Sequence, residues 1–255
     1  MMHARNVDPT HPATWEFSGF SQNGEDGILD VLRKQLSGSN RYFVEIGASD
    51  GIENNCAWLV VAEKYNGIMI EGNTALAERA RRMIEAYSIG VECKNMFVTL
   101  ESVKQLKQMA FYDDPDVFSL DIDGNDYYIA RAILDLGIRP KIFAVEYNAV
   151  YGPEQSLTIQ YQEDFLFTKA HPTRLYYGVS IAAWRKFFAS HGYRFVTVDR
   201  NGVNAFFVDP DCFDAVFLNG VCPLEFAENM SQYKRFRMPN AEQFTLIADQ
   251  KYSVV

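Results

Sequence analysis

FVEIGASDG, Phe43 to Gly51, decides how the rest of the chain is read. Phe43, Val44 and Ile46 are apolar around a single carboxylate, Glu45. The run then passes into Gly47-Ala48-Ser49-Asp50-Gly51, a small, loose turn. A short apolar run that ends in glycines is a buried strand delivering its tip to a ligand crevice. Glycines there let backbone approach backbone or ligand closely.

Further apolar runs follow with helical stripes between them. Gly24 to Leu36 carries Ile28, Leu29, Val31, Leu32 and Leu36 at helical spacing. RYFVEIG is the first strand, Asn55 to Tyr65 a helix, GIMIEGN the second strand and Leu76 to Tyr87 a charged helix. Ser88 to Cys93 is a weak third strand and Val103 to Met109 a short helix. Asp116 to Ile122 is a fourth strand, Tyr127 to Leu136 a helix and KIFAVEY a fifth strand. This alternation predicts a doubly wound parallel sheet covered on both faces. Ile181 to His191 is a further helix. YRFVTVD and NAFFVDP, separated by RNGV, predict an antiparallel hairpin closing the sheet.

The chain has 255 residues, enough for one large α/β domain, and no Pro-rich or Gly/Ser-rich linker divides it. Residues 1–19 read as an N-terminal arm, of the kind that packs on a partner in a homo-oligomer. Residues 20–255 read as a single domain with an insertion around 148–178. The 24 Lys+Arg against 33 Asp+Glu argue against a nucleic-acid surface. Arg79/Arg81/Arg82 and Lys234/Arg235/Arg237 are short enough to be solvated helix faces. Cys56, Cys93, Cys212 and Cys222 are scattered, which suggests reduced thiols in the cytoplasm rather than disulfides or zinc. No apolar run is long enough to span a membrane.

The glycine loop lacks the third glycine of GxGxxG and carries Asp50 where a pyrophosphate would sit. A carboxylate repels a diphosphate and suits hydroxyls or a cation. S-adenosylmethionine offers a sulfonium, an ammonium and a ribose, with no phosphate. The second strand ends in Ile70-Glu71-Gly72-Asn73, about 20 residues after the loop, where an acid can accept both ribose hydroxyls.

With these pieces in view, the chain resembles the class I S-adenosylmethionine-dependent methyltransferases, and among them the FkbM-like O-methyltransferases. The matching motifs are FSQNGEDGIL, VEIGASDG, IEGN, SLDIDGNDYYI, AVEYN and GYRFVTVDRNGVNAFFV, in order from Phe20 to Val208. The resemblance implies a Rossmann-like seven-stranded sheet with its last strand antiparallel, and transfer of a methyl group to a hydroxyl of a sugar or natural product. It implies a cofactor site of Gln22, Glu25, Glu45, Gly47, Asp50, Asn54 and Glu71. Asn95, within Lys94-Asn95-Met96, is a candidate for the adenine.

LDIDGND adds a second acidic cluster. If strands four and five are neighbours, Asp121, Asp123, Glu146 and Asn148 form an oxygen-only set suited to Mg²⁺ or Mn²⁺. Similar metal-dependent methyltransferases place an acid after strand four and an acid/Asn pair after strand five. Here the pair is split by Tyr147. Without metal, Asp123 and Asp126 would cap the next helix. Asp121 is a candidate catalytic residue, and His171, in KAHPTRLYYG, a candidate general base. Tyr147, Tyr151, Tyr161, Tyr176 and Tyr177 are placed to stack on a saccharide acceptor. Three rivals stand beside this reading. Asp121-Ile122-Asp123 is also the DxD of a metal-dependent nucleotide-sugar glycosyltransferase. The fold also hosts non-catalytic binding modules, and Glu71 alone would serve a nicotinamide oxidoreductase.

Overall fold

The computed structural model describes residues 6–255. Its strands in chain order are β1 (Tyr42–Ile46), β2 (Asn66–Glu71), β3 (Val91–Asn95), β4 (Val117–Leu120), β5 (Ile142–Glu146), β6 (Leu157–Ile159), β7 (Arg194–Val198), β8 (Asn204–Val208) and β9 (Tyr252–Val254). The principal helices are α1 (Glu25–Lys34), α2 (Ala57–Val61), α3 (Thr74–Glu85), α4 (Leu106–Met109), α5 (Asp126–Asp135), α6 (Phe167–Ala170) and α7 (Ile181–Ser190).

Every residue of β1 is buried, Glu45 included, because helices cover both faces of the sheet. The seven strands lie in the order β3-β2-β1-β4-β5-β8-β7. The first five are parallel, and β8 runs antiparallel to both β5 and β7. This is the expected doubly wound, mostly parallel sheet of the class I methyltransferase fold. The hairpin turn is held by Asp199, whose carboxylate accepts the backbone N–H groups of Asn201, Val203 and Asn204.

Alternation along the strands sorts side chains into two cores. Val44, Ile46, Ile68, Ile70, Phe118 and Phe143 pack with α5 and α7 on one face. Phe43, Met69, Val117 and Ala144 pack with α1 and α2 on the other. Helix α3 starts at Asn73, whose side chain accepts from the N–H groups of Ala75 and Leu76.

A second, smaller sheet pairs β6 with β9. Around it Val150, Tyr151, Ile159, Phe165, Leu175 and Ile247 form a separate core. Residues from 148 to 178 and the last part of the chain thus make one layer beside the carboxyl edge of the main sheet. Of the N-terminal arm, residues 1–5 lie outside the described residues. Trp15 is fully buried and stacks on Phe217 at 5.9 Å. No helix among the described residues is long and apolar enough to cross a membrane.

Candidate functional site

A pocket of about 570 Å³ opens along the carboxyl ends of β2, β1 and β4, where open α/β sheets hold their ligands. Gln22, Glu25, Glu45, Gly47, Asn54, Glu71, Asp121 and Asp123 all line it. Asp50, Asn95, Glu146, Asn148 and His171 do not.

Gly47 (φ 91°) turns the chain out of β1. Its N–H and that of Ala48 donate to the Ile70 carbonyl at 2.9 and 3.0 Å. A Cβ on Gly47 would overlap the carbonyl oxygen of Asp121. The glycine is thus required by the neighbouring tip of β4, and not only by a ligand. Glu71 ends β2 with both carboxylate oxygens in use: one accepts Ser49 N–H at 2.9 Å, the other Asn73 N–H at 2.7 Å. A carboxylate has further lone pairs, so it can still accept from a ligand diol. Leu76, Met96, Phe97 and Val98 add apolar side chains to the same lining.

Asp50 turns away from the pocket. Its Oδ1 accepts Ile52 and Glu53 N–H, and Arg79 stands 3.5 Å from Oδ2. Asn54 ties the same loop down, donating to Ala48 O and accepting from Cys56 and Ala57 N–H. Asn95 donates to the Glu71 carbonyl at 2.9 Å and accepts from Thr74, bracing β2 against β3. Gln22 donates to Glu53 at 2.9 Å across the mouth. Glu25 is buried and accepts from Asn23 and from Asn204 Nδ2 at 2.8 Å. Glu45 accepts Asn55 N–H with Oε1, while Oε2 has no partner. Burial pushes this carboxyl up to about 8.

The structure brings Asp121, Asp123 and Glu146 together, one oxygen from each lying within 4.8 Å of the others. Asp121 and Glu146 are both pushed well above the ordinary carboxyl range, first by burial and then by the neighbouring acids. Burial and Asp126 raise Asp123 to about 7. Glu146 Oε2 has no partner. Asp126 is the helix-capping acid, accepting Ile122 N–H at 3.0 Å and Gly124 N–H at 2.8 Å; Asp123 sits in the left-handed region (φ 52°).

Asn148 does not join the trio. It is fully buried, its Nδ2 donates to the carbonyls of Leu175 and Tyr177, and its Oδ1 accepts Val150 N–H. Strand β5 ends at Glu146, so the alternation that would align the two side chains stops there. His171 ends α6 with Nδ1 on Thr173 Oγ1 at 2.8 Å. None of the five tyrosines lines the pocket. Tyr147, Tyr151, Tyr176 and Tyr177 are buried instead.

Two groups of lining residues escape the sequence reading. Phe165, Leu166 and Phe167 come from the insertion, and Val203 and Asn204 from the hairpin. The apolar triplet inside the polar QEDFLFTKA was a usable signal. Nothing in NAFFVDP distinguishes Asn204 from a strand terminus.

No family model matches the chain, and no curated protein matches it. Among solved structures it is similar to an O-methyltransferase from Bacillus cereus in complex with SAH, at 18% identity, covering 72% of this chain and 78% of that one, with a TM-score of 0.45. It is also similar to an SAH-bound methyltransferase from Podospora anserina, at 14% identity, covering 66% and 71%, with a TM-score of 0.44. A third is the CurJ carbon methyltransferase, at 10% identity, covering 72% and 52%, with a TM-score of 0.45. At these identities and scores the likenesses assign no activity to this chain.

Proposed function

We propose that the chain is an S-adenosylmethionine-dependent O-methyltransferase of the FkbM-like group, acting on a sugar hydroxyl with the help of a divalent cation. One observation carries the reading: the pocket has acidic side chains and no cationic one. Glu25, Glu45, Glu53, Glu71, Asp121 and Asp123 line it, and no Lys, Arg or His does among the described residues. Such a pocket offers a diphosphate no cationic partner, while its ionised carboxylates attract a sulfonium and an ammonium. Nicotinamide cofactors and nucleotide sugars are disfavoured on the same ground, although Asp121 and Asp123 do converge as a DxD would.

In this reading Glu71 accepts the ribose hydroxyls, and Leu76, Met96, Phe97 and Val98 enclose the adenine. The sulfonium then lies toward Asp121. Transfer is an in-line displacement. A lone pair of the acceptor oxygen attacks the methyl carbon, the carbon–sulfur bond breaks, and its electron pair stays on sulfur as a neutral thioether. The hydroxyl proton must leave, and Asp121 would take it in its ionised form, the form that a cation held beside Asp123 and Glu146 favours. Holding donor and acceptor in line is the larger part of the catalysis.

Asp121, Asp123 and Glu146 fit a hard cation: all donors are oxygen, and Glu146 keeps an unpartnered Oε2 in a buried setting. When bound, such an ion lowers the pKa of the acceptor hydroxyl. The four cysteines are all free thiols, which supports a reducing, cytoplasmic setting.

The test is calorimetric titration with S-adenosylmethionine, S-adenosylhomocysteine and a uridine diphosphate sugar, each with Mg²⁺ and with EDTA. Micromolar binding of the adenosyl ligands alone is expected. Metal-dependent binding of the nucleotide sugar alone would overturn the proposal.

A further inference from the structure

The pocket has an apolar wall beside Asp123 that the cofactor placement proposed above does not use. Phe165, Leu166 and Phe167 line the pocket from the 148–178 layer. Phe165 lies against the loop that carries Asp123: a Cβ on Gly124 would stand 2.7 Å from its ring. The wall is tied to that loop by one residue pair. Asn125 Nδ2 donates to the Gln162 carbonyl at 2.7 Å, and Gln162 N–H donates back to Asn125 Oδ1 at 3.3 Å. Phe165 packs edge-on against Tyr176 and Phe167 against Tyr177, with centroids 6.1 and 6.0 Å apart. Leu166 has no such backing and is 42% exposed.

The polar groups expected to meet a free sugar face are spent elsewhere. Tyr151 donates to Tyr177 O, Tyr147 donates to Ala227 O, and Tyr177 accepts from Gln232. Tyr161 accepts from Leu100 N–H. A small polar acceptor would leave the wall in water. A phosphate-linked acceptor would meet no cationic side chain among the lining residues.

We infer that the acceptor is amphipathic: its hydroxyl-bearing head is joined without a phosphate to an apolar body, and that body rests on Phe165, Leu166 and Phe167. The inference rests on the methyl-transfer reading and narrows its acceptor class. The sugar proposed above is then one carried on an apolar aglycone or lipid. Leu166 is the specificity-determining contact, because it is the most exposed of the three and has the most surface for a ligand to cover.

The test uses the whole protein with S-[methyl-³H]adenosylmethionine and a heat-treated extract of the cells that make it. Products are partitioned between water and butanol. Label in the butanol phase is expected. Leu166→Asn should cut that label roughly tenfold or more, the scale of one buried leucine, while calorimetry shows unchanged S-adenosylhomocysteine affinity. Label confined to the water phase overturns the amphipathic acceptor and leaves methyl transfer standing. Butanol-phase label that Leu166→Asn does not reduce removes the role of the wall. An absence of label in both phases overturns the methyl-transfer reading, and this inference with it.

Discussion

Replacing Gly47 by alanine separates two reasons for a glycine at this turn. If the glycine only lets a cofactor approach, Gly47→Ala leaves folding intact. The structure requires more. At φ 91° an L-residue is strained, at a cost of about 1–2 kcal/mol. The new Cβ would also overlap the Asp121 carbonyl, a backbone atom that cannot swing aside. The tips of β1 and β4 must part. The bonds at risk are Gly47 N–H to Ile70 O (2.9 Å), Ala48 N–H to Ile70 O (3.0 Å) and Asp121 N–H to Ile46 O (3.0 Å). Losing two at about 1 kcal/mol each brings the total to about 3–4 kcal/mol. Gly38→Ala is the control: its φ is 78°, and nothing lies within 4 Å of an added Cβ. It has the backbone strain alone, about 1–2 kcal/mol, and shares the entropic effect of a Gly→Ala change on the unfolded chain. Urea unfolding should show Gly47→Ala about 2 kcal/mol less stable than Gly38→Ala, and only Gly47→Ala should lose S-adenosylhomocysteine binding. Equal midpoints for the two variants would refute the argument.

The remaining predictions concern the site. Glu71→Ala should weaken S-adenosylhomocysteine binding by about 1–3 kcal/mol, the scale of hydrogen bonds to a charged group; unchanged calorimetric affinity would remove Glu71 from the cofactor site. Asp121→Ala should keep cofactor affinity within about threefold, less than one ordinary hydrogen bond, and abolish methyl transfer; a fully active variant would end its catalytic role. Glu45 holds its proton in the folded state up to about pH 8 but near 4.5 when unfolded. Its contribution to stability is therefore fully present below about pH 4.5 and is lost as pH rises toward 8. Glu45→Gln should flatten the fall in stability across that window, as read by urea midpoints at several pH values, and a parallel pH profile for the two proteins would contradict the burial argument.

The parallel sheet was legible because each central strand is a short apolar run, and β1 to β5 fall where those runs lie. The hairpin was legible from Asn201-Gly202 between two β-rich runs. The small sheet was not, since β6 and β9 are three residues each and lie far apart in the chain. In the site, residue type and place along the chain pointed to Glu71 and the Asp121/Asp123 pair, and the family resemblance to Glu25; all four line the pocket. Side-chain direction was hidden. Asp50 is one residue from Gly51 and looks like a pocket acid, yet its carboxylate satisfies two N–H groups of its own turn. Asn148 shares strand parity with Glu146, but parity holds only while the strand continues. Phe165 to Phe167 stand out as an apolar triplet in a polar stretch, but the fold-back that brings them to the pocket is not written in that pattern.

The sheet of β6 and β9 shares no strand with the seven-stranded one. Its ladder can open without breaking any hydrogen bond of the main sheet's ladders. The 148–178 layer can therefore fluctuate as a unit of lower local stability, while the strand tips beneath it keep Glu71 and Gly47 in place. Amide exchange should report this as fast protons in β6 and β9 above a slow central sheet. Breathing of this kind would let one rigid cofactor cradle serve acceptors of different girth.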